Sequence, residues 1–239
     1  MKKYNSQYEE YEKIAKVIEC DTQIAGRYSF QKEDEKRIVP DILGKLNINS
    51  SDSLLEIGCG TGNLLIPLSF YVSKAVGIDN KNAIQKLLSR ANLANLEGFV
   101  GNFLTYDTSH LGKFNKILMY SVLHYLSNRK EVYCFIDKAL TLLDEKGVLV
   151  IGDIPNTSLK NNFLKSDVGK EFTEHWQERM KKDISKVYSS PMESYVFNDE
   201  NIFDMMKHIK KQGYRAYLLP QPSNLPFGYT REDLIVSTF

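Results

Sequence analysis

The sequence predicts an α/β fold: an open, mostly parallel sheet with helices on both faces and an antiparallel hairpin at the C-terminal end. Three observations predict it. A short apolar run at 53–57 ends in three alternating glycines, Gly58, Gly60 and Gly62, and a helical pattern follows. From Ser53 onward, apolar runs the length of buried strands alternate with longer helical patterns, which marks crossover units with parallel strands. Two last apolar runs, at 214–219 and 229–238, are joined by the turn-rich stretch Pro220 to Gly228, too short for a parallel crossover.

Composition suits one large domain. The chain has 239 residues, 42% of them apolar, enough for a packed core. Lys plus Arg number 31 against 30 Asp plus Glu, so no global field draws the chain to nucleic acid or an anionic membrane. Cysteines at 20, 59 and 134 form no Cys-x-x-Cys pair, which fits reduced thiols and a cytoplasmic protein. His110, His124, His175 and His208 lack ligand spacing, so no metal site is expected. The N-terminus lacks the apolar core of a signal peptide, and nowhere do 18 apolar residues run together; no membrane partner is expected.

Residues 1–50 read as a helical arm. Tyr8, Tyr11, Ile14, Ala15 and Ile18 fall at helical spacing over 7–20, an amphipathic helix over the front of the sheet or a loosely docked arm. A second pattern runs from Gln31 to Leu46 with Ile38, Ile42, Leu43 and Leu46 on one face, and Pro40 should kink or split it.

Residues 51–155 read as a cofactor-binding core. Strands are expected at 53–57, 74–78, 97–100, 115–120 and 146–152, with helices at 62–72, 81–93 and 128–142. Pro67 should distort the first of these helices. At the glycine turn, the missing Cβ atoms permit positive φ and let a ligand lie against the backbone. A helix opening after Thr61 would turn free N–H groups and the positive end of its dipole toward that ligand. Asp79 ends the next apolar run, where an acid can accept hydrogen bonds from ribose hydroxyls. Cys59 reads as a small packing residue rather than a nucleophile.

Glycine spacing separates the turn from the dinucleotide fingerprint Gly-x-Gly-x-x-Gly, because position 63 is Asn. From Glu56 to Asn63 it is Glu-x-Gly-x-Gly-x-Gly, which resembles motif I of the class I S-adenosylmethionine-dependent methyltransferases, a Rossmann-like family. The resemblance implies S-adenosylmethionine as cofactor and contacts to it from Glu56, Gly58, Cys59, Gly60, Thr61, Gly62, Asn63, Asp79 and Asn80. It adds Asn102 and Phe103 after the third strand for the adenine, where many relatives carry Asp, and Ser121 after the fourth. Arg27 and Tyr28, ahead of motif I, are candidates for the methionyl carboxylate or the acceptor, or else an exposed Arg and a half-buried Tyr.

Ser121-Val122-Leu123-His124-Tyr125-Leu126 resembles the family's motif IV, which often carries a Leu-His pair. His124 is the general-base candidate, its ordinary pKa lying near neutrality, or a structural residue that fixes the loop. Asp153, at the end of the fifth strand, would stand at the rim of the acceptor site, or serve as a helix cap or loop carboxylate.

Residues 156–198 break the alternation with a helical pattern over 166–186 carrying Phe172, Trp176, Met180 and Ile184. In the resembling family such an insertion caps the acceptor; aromatic residues at this spacing also dock any covering helix. Residues 199–239 supply a helix over 199–212 and the hairpin, which is the family's topology. The implied function is methyl transfer to a small-molecule acceptor by in-line attack on the sulfonium. The alternatives are a non-catalytic binding or assembly module and a nucleotide-dependent oxidoreductase. An RNA or protein methyltransferase is a further possibility, against which stand the near-neutral charge and the absence of an Asn-Pro-Pro-Tyr type of signature.

Overall fold

The computed structural model describes residues 21–183 and 194–238, together with Tyr8, Glu9, Glu12 and Lys16. Tyr11, Ile14, Ala15, Ile18, Cys20 and Ile184 lie outside the described residues. Seven strands form one sheet: β1 (Ser53–Ile57), β2 (Lys74–Asp79), β3 (Leu96–Val100), β4 (Phe114–Tyr120), β5 (Leu143–Pro155), β6 (Arg215–Pro220) and β7 (Arg231–Ser237). Their order is β3-β2-β1-β4-β5-β7-β6, parallel throughout except that β7 runs antiparallel to both its neighbours. The order reverses between β1 and β4, the switch point where open α/β sheets place a crevice at the carboxyl ends of their strands.

Both faces of the sheet are covered, which is why the strands read as continuous apolar runs rather than as alternation. Leu55, Ile57, Ile117, Met119, Leu149 and Ile151 point to one side, against α6 (Arg129–Thr141) and α9 (Asp199–Lys211). Their sequence neighbours Leu54, Leu118 and Val150 point to the other, against α3 (Ile38–Leu46), α4 (Leu65–Ser69) and α5 (Lys81–Arg90). α5 and α6 open on Asn80 and Asn128, whose side chains accept from the backbone N–H groups of Ala83 and Glu131.

Several expected boundaries move. Between α1 (Asp21–Ile24) and β1, the predicted 31–46 helix is two, α2 (Lys32–Glu35) and α3, and the break falls at Lys36–Arg37. Pro40 is the third residue of α3, where a helix has no partner for an N–H anyway. Pro67 holds the same place in α4, which starts at Leu65 and spans five residues instead of filling 62–72. The 166–186 pattern is one part of two helices, α7 (Thr157–Lys165) and α8 (Asp167–Lys182), divided at Ser166, whose side chain accepts from Gly169 N–H to cap α8. β5 is longer than expected at thirteen residues. Near its end three steps from Ile151 to Ile154 match two on β7, from Leu234 to Glu232, so β5 carries a bulge.

Candidate active site

At the switch point lies a cavity of about 180 Å³, and the turn after β1 forms its floor. Gly58, Gly60 and Gly62 have φ of 77°, 53° and 87°. The reason for glycine is not ligand approach alone. A Cβ on Gly58 would stand 2.5 Å from Val122 Cγ2, and one on Gly62 2.3 Å from Leu87 Cδ1. Gly58 and Gly60 line the cavity, whereas Gly62 packs behind it. The backbone N–H of Gly58 donates to Ile78 O at 2.8 Å, tying the turn to β2.

Two carboxylates flank the turn. Asp79 Oδ2 accepts from Gly60 N–H at 2.7 Å, and Oδ1 accepts from the backbone and side-chain nitrogens of Asn80 at 2.6 and 2.8 Å. Burial outweighs these donors and pushes its pKa up to about 6. Glu56 is 2% exposed, and burial beside Asp79 raises its pKa well above the carboxylate range, the Leu65 N–H opposing. α4 opens at Leu65 rather than directly after Thr61, and its first N–H is bonded to Glu56, itself a cavity residue. Glu56 Oε2 is buried without a hydrogen-bond partner.

The remaining sequence-predicted residues divide. Cys59, Thr61, Asn63, Asn102, Phe103 and Ser121 line the cavity with Glu56 and Asp79. Burial and the two carboxylates push the Cys59 thiol up, so it packs rather than reacts. Thr61 and Asn63 are clasped from α5: Arg90 Nη1 donates to Thr61 O at 2.7 Å, Thr61 Oγ1 at 3.0 Å and Asn63 Oδ1 at 2.8 Å. Asn102 Oδ1 accepts from Leu104 N–H at 3.1 Å, and the Phe103 ring meets Phe135 edge-on at 4.9 Å. Asn80 is fully buried and serves Asp79 and the α5 cap from outside the cavity wall.

Tyr28, His124 and Asp153 also stand off the cavity wall. Tyr28 stacks on Phe30 at 5.3 Å and meets Trp176 edge-on at 5.5 Å, under α8. His124 sits in the single turn Leu123–Tyr125 with Nδ1 buried and unpartnered. Burial, Arg231 and Arg27 push its pKa down to about 4 against the pull of Asp153, so the ring is neutral at pH 7. Asp153 lies in the β5 bulge with φ of 60°, accepts the Ser121 hydroxyl, and has Arg231 Nε 3.6 Å from Oδ1.

Sequence reasoning missed Tyr8, Tyr125, Glu131 and Phe135 as cavity residues. Tyr8 brings the arm to the site: Asp79 and Glu12 add to burial in raising its phenol pKa, and Asn82 Nδ2 donates to Glu12 O at 3.0 Å. Tyr125 follows His124 directly, so motif IV was the signal that could have found it. Arg27, 4% exposed, also lines the cavity; it donates to Glu35 and to Ser121 Oγ, each at 3.2 Å. Asn63 Nδ2 reaches the same Glu35 oxygen at 3.2 Å, so arm, turn and β4 share one hydrogen-bonded network. Among the described residues, no group of three or more His, Cys, Asp or Glu side chains is arranged to hold a metal ion, and no helix is long and apolar enough to cross a membrane.

Against known proteins, the family described as a methyltransferase domain matches residues 48–214. The probable cobalt-precorrin-6B C(15)-methyltransferase (decarboxylating) of Methanococcus maripaludis strain C7 is 28% identical over 127 residues, 52% of this chain and 62% of the relative. The match thus spans less than two thirds of that relative's length. Among solved structures, magnesium protoporphyrin IX methyltransferase from Synechocystis PCC 6803, with bound S-adenosylhomocysteine, superposes with a TM-score of 0.60 at 13% identity, covering 98% of this chain and 95% of the other. An N-methyltransferase from Bradyrhizobium japonicum WM9, also with S-adenosylhomocysteine, gives 0.62 at 16% identity, covering 97% of each chain. At these identities the structural likeness is one of fold.

Proposed function

The chain belongs to the methyltransferase-domain family, and we propose that it is an S-adenosylmethionine-dependent methyltransferase acting on a small-molecule acceptor. The observation that carries this reading is the pairing of Glu56 and Asp79 across the Gly58–Gly60 turn on one cavity wall.

The residues present fit the cofactor. Glu56 Oε2, buried and lacking a partner, suits the methionyl ammonium, since an unpaired buried carboxylate oxygen is costly until a donor reaches it. Asp79 keeps acceptor capacity on Oδ2 for ribose hydroxyls, and Asn102 with Phe103 would hold the adenine. When bound, S-adenosylmethionine supplies a methyl group made electrophilic by its sulfonium, open to in-line attack. The protein's part is to hold the acceptor on that line and keep water out. Tyr8 and Arg27 from the arm and Tyr125 from the turn after β4 line the cavity and serve this purpose.

His124 and Asp153 act through position rather than proton transfer. His124 stands behind the wall with its basicity lowered by burial, and Asp153 is held by Ser121 and Arg231. A small acceptor is supported by the near-neutral charge of the chain and by the relatives, whose names specify precorrin and magnesium protoporphyrin IX substrates. α7 and α8 form the acceptor-side cap in this reading. Free thiols at Cys59 and Cys134 suit a cytoplasmic setting. Calorimetric titration with S-adenosylhomocysteine tests the proposal: saturable binding is expected, and no heat at roughly millimolar ligand would sink it.

A further inference from the structure

Six buried side-chain polar atoms among the described residues have no hydrogen-bond partner, and three of them gather around Ser121 and Asp153: Arg27 Nε, Arg231 Nη1 and His124 Nδ1. We propose that the acceptor carries an oxyanion, a carboxylate or phosphate, seated at the carboxyl ends of β4 and β5 between the guanidinium groups of Arg27 and Arg231. This rests on the methyltransferase reading and names the substrate class of the same site.

The two arginines are joined by a continuous chain of contacts. Arg27 Nη2 donates to Ser121 Oγ at 3.2 Å, Ser121 Oγ donates to Asp153 Oδ2, and Asp153 Oδ1 lies 3.6 Å from Arg231 Nε. Both side chains are largely withdrawn from water, at 5% and 18% exposed. A guanidinium can only donate, so what is missing at Nε and Nη1 is an acceptor atom. Carboxylate and phosphate match that demand because their oxygens take two or more such donors at once. Glu35 and Asp153 already hold other atoms of these arginines, which fixes the donors in direction; Arg27 lines the cavity and Arg231 stands outside its lining, so the oxyanion would enter past Arg27. A protonated amine, a donor only, would satisfy neither orphan.

Beside the oxyanion seat is an aromatic wall. The Arg231 guanidinium lies over the Phe227 ring at 5.1 Å, Phe227 is 6.2 Å from Trp176, and Trp176 meets Phe172, Phe30 and Tyr28 at 5.6, 4.9 and 5.5 Å. These rings come from the arm, from α8 and from the turn before β7, and each is only half-buried. An acceptor with an apolar body and an acidic end fits both features.

Trp176 is the only tryptophan in the chain, so its fluorescence reports on this wall. Phenylacetate, 4-phenylbutyrate and decanoate, each beside its neutral amide, and phenyl phosphate are titrated into the full chain saturated with S-adenosylhomocysteine. At least one acid should bind about tenfold or more tightly than its amide, and the ratio of phenyl phosphate to phenylacetate tells phosphate from carboxylate. Arg231→Gln should abolish the preference, and Arg231→Lys, which keeps the charge, should restore part of it. Equal affinity of every acid and its amide, absence of binding by any acid at roughly millimolar ligand, or a preference that survives Arg231→Gln would each overturn the proposal. Loss of S-adenosylhomocysteine binding in the unaltered protein would instead remove the methyltransferase reading beneath it.

Discussion

Ser121 and Asp153 stand side by side at the carboxyl ends of two parallel strands, both with left-handed backbone at φ of 58° and 60°, and the Ser121 hydroxyl donates to the Asp153 carboxylate. Neither is glycine, so each holds a conformation that costs of order 1 kcal/mol. Tertiary bonds offset it: Ser121 N–H donates to Gly152 O at 3.1 Å and Asp153 N–H to Asp233 Oδ1 at 2.8 Å. Of the two only Ser121 lines the cavity, and its Oγ meets both Arg27 and Asp153.

Ser121→Ala should therefore lower stability by about 1–3 kcal/mol, because buried Asp153 loses its hydroxyl donor. Ser121→Gly loses the same bond but relieves the backbone, and should be less damaging than Ala by about 1 kcal/mol. Urea unfolding of the two variants measures the difference; the reverse order would mean that the left-handed backbone carries no cost.

Gly58→Ala places a Cβ against Val122 at positive φ. Loss of S-adenosylhomocysteine binding and at least about 2 kcal/mol of stability are expected. Gly58→Ala combined with Val122→Ala should recover only the steric part. Full recovery in chemical denaturation would show that φ is indifferent there.

Cofactor affinity should depend on pH through Asp79. Its pKa in the ligand-free protein is about 6, and ribose hydroxyls donate to the ionised form. Through Asp79, affinity then falls by up to about tenfold per unit below pH 6, where a proton must leave before binding, and the raised pKa of Glu56 adds to the loss on acidification. Asp79→Ala should weaken binding by roughly 1–3 kcal/mol and make the profile shallower. Calorimetry from pH 5 to 8 reads both, and a flat profile in the unaltered protein would refute the ribose assignment.

His124 makes stability, too, fall on acidification. Its folded pKa of about 4 lies below the ordinary value of 6.5, so the unfolded chain takes the proton first and stability is lost as pH falls between the two. The loss should reach about 2–3 kcal/mol by pH 4. His124→Gln should show a shallower acid limb in thermal unfolding than the unaltered protein. Equal slopes would mean that the ring protonates freely.

Arg90 is exposed at the end of α5 yet holds Thr61 and Asn63 by three hydrogen bonds. Arg90→Ala should leave the melting temperature nearly unchanged and weaken S-adenosylhomocysteine by about 1 kcal/mol, since the turn must then be ordered at the expense of binding. Calorimetry beside a thermal melt separates these outcomes.

Much of this was legible in the residues. Apolar runs buried on two faces identified the strands, the glycine spacing identified the turn, and the brief link after Pro220 required an antiparallel end. Those features are local, or depend only on chain geometry, so short windows carry them. The run around Pro40 is split as expected, but at Lys36–Arg37, and both Pro40 and Pro67 fall in the first turn of a helix, because neighbouring residues alone did not show where α3 and α4 began.

What the sequence by itself determined is a mostly parallel sheet with an antiparallel end and the carboxylate-flanked glycine turn; the strand order came from the fold. The tertiary structure alone decided which polar groups face the cavity: it withdrew Tyr28 and Asn80, buried His124 as a neutral ring, and turned Asp153 onto Ser121 through a bulge in β5. It also brought Arg27, from the arm, to Ser121, 94 positions away. The physical reason is range. Hydrophobic periodicity and turn chemistry act within a few residues, whereas the direction of a buried hydrogen bond and the shift of a pKa are set by partners that only the folded chain assembles.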